Sequence, residues 1–62
     1  MTKVARSKRC LHSCSGNSTH VVDVKYADAM QAGKRVIIED REQIIKSVGR
    51  MAGDYVIEVK RL

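Results

Sequence analysis

Apolar and polar residues alternate most cleanly between residues 19 and 26, where His20, Val22, Val24 and Tyr26 interleave with Val21, Asp23 and Lys25. A period of two marks a strand with one apolar and one mostly polar face. Residues 9–14 (RCLHSC) precede it across Ser15, Gly16 and Asn17, and Gly and Asn accept the positive φ that a tight turn needs. The segment 9–26 therefore reads as a β-hairpin. YADAMQAG (26–33) follows, rich in good helix formers, with Gly33 placed to cap its C-terminus. At about two turns such a helix cannot stand alone and must lean on a sheet. KRVIIE (34–39) then gives consecutive β-branched residues, the pattern of a strand covered on both faces.

The stretch from Asp40 to Asp54 decides the fold class. Ile44, Ile45, Val48, Met51 and Ala52 recur at helical spacing and form one apolar stripe. Asp40 can cap the first turn with Gln43 three residues on, and Glu42 and Lys46 make a favourable i, i+4 pair. Gly49 opposes the helix by about 1 kcal/mol relative to Ala, and Gly53 ends it. DYVIEVKRL (54–62) closes the chain as a strand, with Tyr55, Ile57 and Val59 on one face. The expected order is β-β-α-β-α-β, an α+β fold with a small four-stranded sheet, one short helix and one longer one. An alternative takes residues 30–59 as a meander turning at Asp40–Glu42 and again at 49–54. That would make a small SH3-like β-barrel, at the cost of leaving the Ile44–Met51 spacing and the capping box unused.

Length and composition bound what such a fold can be. Sixty-two residues make one domain, and a chain this short buries only about 60% of its unfolded surface. Its core is marginal, so a dimer or a larger partner is compatible with it. No apolar run approaches the ~20 residues of a membrane span, and the N-terminus has no signal-peptide stretch. A cytoplasmic protein without a membrane partner is expected. In a reducing compartment Cys10 and Cys14 are thiols or metal ligands rather than a disulfide.

Charge is placed unevenly. Residues 1–22 carry Lys3, Arg6, Lys8 and Arg9 and no acid, whereas residues 23–62 carry eight basic and seven acidic residues. Residues 1–8 show no apolar periodicity and read as a basic, flexible arm ahead of a single domain at 9–62. Such an arm suits phosphate contact, with release of counterions on binding. Lys34 and Arg35, together with Lys60 and Arg61, can join it; equally, all four are the solvated ends of strands.

Both cysteines and both histidines fall between residues 10 and 20. Cys10, His12, Cys14 and His20 are the right number and kinds of ligand for zinc. In a straight strand, however, Cys10 and Cys14 lie about 13 Å apart at Cα, and one zinc ion spans only about 10 Å between them. Residues 9–14 either bend around a metal or form an ordinary strand, and the straight-strand distance also rules out an internal disulfide, which needs about 7 Å. A third reading is a reactive thiol, with Lys8 and Arg9 lowering the pKa of Cys10.

No catalytic constellation stands out. The glycines are isolated, the acids dispersed and the histidines confined to one hairpin. Two classes of non-enzymatic function are therefore carried forward. The first is a small regulatory protein that contacts nucleic-acid backbone through Lys3, Arg6, Lys8, Arg9, Lys34 and Arg35. The second is an inhibitor or adaptor that docks on a larger protein, for which a small sheet offers unpaired edges.

Overall fold

The computed structural model describes residues 3–62, and over them the protein is almost entirely β. Six strands build one mixed sheet: β1 (Lys3–Ala5), β2 (Ser7–Cys14), β3 (Asn17–Val22), β4 (Arg35–Ile38), β5 (Arg41–Met51) and β6 (Asp54–Arg61). A short 3-10 helix, Val24–Ala29, joins β3 to the segment before β4. The spatial order is β1-β4-β5-β6-β3-β2, with β1 parallel to β4 and every other pair antiparallel. β1 and β2 stand at the two ends of this order yet are consecutive in the chain, so the sheet curls until its edges meet at Arg6.

This corrects the expected α+β fold in three places. Residues 41–51 are a strand, and the reason lies at Lys46. β5 pairs Ile45 with Val59 and then Ser47 with Glu58, which leaves Lys46 as the extra residue of a β-bulge. The bulge shifts the phase of the strand, so Ile45 and Val48 both face inward three positions apart, opposite Val59 and Ile57. A three-residue step between inward positions imitates the spacing of a helix. The short helix expected at 26–33 is instead a 3-10 turn that starts earlier, its first amides capped by the Asp23 carboxylate accepting from Lys25 N–H at 3.1 Å. Residues 3–8, expected as a flexible arm, lie in β1 and at the start of β2; residues 1 and 2 fall outside the described part.

The core is the inner face of the curled sheet. Val22, Val36, Ile38, Ile45, Ile57 and Val59 are almost wholly buried, and Ala5, Ala29 and Met30 close over them. Both tyrosines pack against this cluster.

β4, β5 and β6 form a meander whose reversals occupy Glu39–Asp40, between paired Ile38 and Arg41, and Ala52–Gly53, between paired Met51 and Asp54. Glu39 (φ 55°), Asp40 (φ 65°) and Ala52 (φ 52°) all adopt left-handed backbone. Two-residue hairpins of this kind favour Asn-Gly because each L-residue there costs about 1 kcal/mol or more. Replacing Glu39→Asn together with Asp40→Gly is therefore expected to stabilise the domain by about 1–2 kcal/mol. A rise in the urea midpoint at unchanged slope would show it; a lower midpoint would mean the acidic side chains hold the turn in another way.

Candidate nucleic-acid interface

The six cations proposed from the sequence do not form one arm, and the sheet sorts them into three places. Parallel pairing sets Lys3 opposite Val36, next to Arg35. Lys3, Lys34 and Arg35 consequently line one shallow depression of about 200 Å³, shared with Asp28, Ala29 and Gln31. Lys34 is held there by its backbone: its N–H donates to Gln31 O, and its carbonyl accepts from Ile45 N–H at 2.9 Å. All three cations are exposed.

Arg6 sits elsewhere, at the corner between β1 and β2. It lines a different depression with Glu39 and Asp40, whose carboxylates oppose its charge. Lys8 is engaged in an ion pair, its Nζ 3.2 Å from Asp54 Oδ2. Arg9 lies opposite Val21 on the outer face of β2.

Cross-strand register extends the first depression over the outer face. Arg35 pairs with Ile44, Ile44 with Lys60, and Lys60 with Asn17, so these four residues form one row across β4, β5, β6 and β3. Adjacent strands lie about 4.8 Å apart, which puts Arg35 and Lys60 roughly 10 Å from each other along the sheet. Arg61 follows at the end of β6, its N–H donating to Gly16 O at 2.9 Å. Lys60 thus shares the outer face with Arg35, beside the depression that Lys3 and Lys34 also line, whereas Arg61, opposite buried Gln43, turns to the other face.

The cysteine and histidine cluster is dispersed by the same registers. β2 carries two irregularities, between Ser7 and Arg9 and between Cys10 and His12. The second moves Cys10 to the face of its partner His20, while His12 and Cys14, opposite Thr19 and Asn17, take the other face. Cys10 and Cys14 are exposed free thiols, and His20 is 3% exposed. Among the described residues no three His, Cys, Asp or Glu side chains are grouped to hold a metal ion.

His20 has a different engagement, which sequence reading missed. Its Nδ1 lies 2.9 Å from Ser7 Oγ, and that hydroxyl donates to Arg9 O at 3.0 Å. This contact pins the irregular start of β2 to β3. Neither the pairing of Lys3 with β4 nor the Ser7–His20 bond leaves a trace in local sequence, because both join residues more than a dozen positions apart.

Among the described residues no helix is long and apolar enough to cross a membrane. Comparison with known proteins adds no relative: no protein-family model fits the chain, and no match is found to it among curated proteins or solved structures.

Proposed function

We propose that this protein is a small non-enzymatic binding module that holds the phosphate backbone of nucleic acid against its basic surface. One observation carries the reading: Lys3 converges with Lys34 and Arg35, thirty-odd positions further along the chain, on a single depression through the β1–β4 pairing. Three exposed cations around one concavity with a single acid suit a polyanion. Aromatic content points to backbone contact rather than base stacking. Tyr26 and Tyr55 are the only Tyr, Phe or Trp residues of the sequence. Both pack against the core, with Lys25 over one ring and Arg50 over the other. Neither offers the open face that single-strand binders use. We place the module in the cytoplasm, where Cys10 and Cys14 stay reduced.

The test is the salt dependence of binding to a fluorescently labelled DNA duplex, read by anisotropy. Three to four phosphate contacts predict a slope of log K against log salt of about −3. A slope near zero, or no binding at low salt, would overturn the reading.

Docking on a larger protein is the second reading, and one feature favours it. β4 covers β5 only as far as Ile44, so Ser47–Met51 present a strand edge on the side away from β6. β2, in contrast, is a poor edge, because its two irregularities and Lys8 and Arg9 obstruct a regular ladder.

A further inference from the structure

We infer that the β2–β3 hairpin end forms a second phosphate subsite, which takes another phosphate of the same nucleic-acid strand. It rests on the backbone-binding reading and extends it to a residue set outside the first depression. Ser13, Ser15, Asn17, Ser18 and Arg61 line a concavity of about 280 Å³ around the turn at Gly16. The lining residues, Cys14 among them, carry three hydroxyls, a carboxamide, a thiol and a guanidinium, and no carboxylate. Such a set can donate many hydrogen bonds and carries net positive charge, which selects an oxyanion. Arg61 is fixed at its rim through the backbone bond to Gly16 O.

Asn17 is the second observation, and it is independent of the lining. Its Nδ2 donates only to Ser15 O at 3.5 Å, the outer limit of a hydrogen bond, and its Oδ1 is buried without a partner. An unpaired buried acceptor costs about 1–3 kcal/mol. The carboxamide is therefore weakly held where it stands. Turning it into the concavity brings Nδ2 to a bound phosphate oxygen and returns Oδ1 to water. Ligand binding would relieve a cost that the free protein carries.

Register fixes the relation of the two subsites. Asn17 and Arg35 end the same cross-strand row, three strand spacings or roughly 14 Å apart along the sheet, with Lys60 between them. A nucleic-acid strand carries one phosphate per nucleotide, so a run of a few nucleotides bridges the two. Inorganic phosphate can fill either subsite but cannot join them, and only a polynucleotide gains from both.

The experiment is a nitrogen-15 NMR titration of the full chain, with a 12-base-pair DNA duplex and separately with inorganic phosphate. With the duplex, the amide signals of Gly16, Asn17 and Ser18 should shift in step with those of Lys34 and Arg35. Arg61→Ala should weaken duplex binding about tenfold and reduce the salt slope by about 1. Asn17→Ala gives an independent readout, because it should weaken binding without lowering the melting temperature. Shifts confined to the Lys3, Lys34 and Arg35 surroundings would overturn the hairpin subsite and leave backbone binding standing. Absence of any duplex binding would overturn backbone binding itself, and the subsite with it. Hairpin shifts with inorganic phosphate but none with duplex would also overturn the subsite as part of a polynucleotide interface.

Discussion

Ile57→Ala is expected to lower the melting temperature by about 10 °C or more. Ile57 is fully buried in the middle of β6, flanked in register by Val48 on β5 and His20 on β3. Truncating a buried isoleucine to alanine costs about 2–5 kcal/mol, part lost transfer energy and part the cavity left behind. A chain of this length has only about 3–9 kcal/mol of stability in total. β6 also pairs on both sides, so a collapse at Ile57 loosens the contacts of β5 and β3 together. Far-UV circular dichroism during thermal melting reads the outcome. Val24→Ala, at an exposed site, should change stability by less than about 0.5 kcal/mol and serves as the comparison. If Ile57→Ala melted no more than a few degrees below the parent, the core would have to repack around the hole.

The hairpin expected at 9–26 holds only as far as Val22, because Val24–Ala29 form the 3-10 helix, whereas the strands expected at 34–39 and 54–62 are found at Arg35–Ile38 and Asp54–Arg61. Alternation, β-branched runs and a Gly at a turn each act over a few residues, and the chain obeys them there. β5 escapes because its bulge at Lys46 is a property of pairing with β6, not of the strand's own sequence. Once Ile45 and Val48 face inward across that bulge, their spacing carries no information that separates strand from helix. The capping pattern of Asp40 and Gln43 misleads for a related reason. Asp40 occupies the second position of a tight hairpin turn, and Gln43 is buried with its Nε2 donating to Ile38 O at 3.4 Å. β1 is only three residues long, and its partner β4 lies 33 positions away, beyond any local pattern.

The candidate site divides along the same line. The basic residues were visible as charges, but their grouping depends on register. Lys3 joins Lys34 and Arg35 because β1 runs parallel to β4, whereas Lys8, one of the four basic residues in the first nine, is drawn to Asp54. The cysteines illustrate the converse. Proximity in sequence suggested shared ligation, and one irregularity in β2 was enough to send Cys10 and His12 to opposite faces. A strand with side chains alternating every residue disperses neighbours, and a bulge changes which of them it disperses.

Charge reversal separates the grouped cations from the scattered ones. Replacing Lys3, Lys34 and Arg35 with Glu should lower affinity for a DNA duplex on the order of a thousandfold at low salt, since each charge-assisted phosphate contact is worth about 1.5–3 kcal/mol. Lys8→Glu removes a cation that is already paired with Asp54 across 3.2 Å on a half-exposed surface. Such a pair contributes at most about 1 kcal/mol, and its loss should weaken binding less than tenfold. Arg6→Glu should likewise do little, because Glu39 and Asp40 line the depression where Arg6 sits. The contrast between the variants carries the weight, since all of them change net charge in the same direction. If Lys8→Glu and Arg6→Glu together weakened binding as much as the triple variant, the overall field of the protein would attract the polyanion and the depression would have no special role. If the triple variant bound the duplex as well as the parent, phosphate would not be the ligand of this surface. The free edge of β5 at Ser47–Met51 would then become the place to look for a partner.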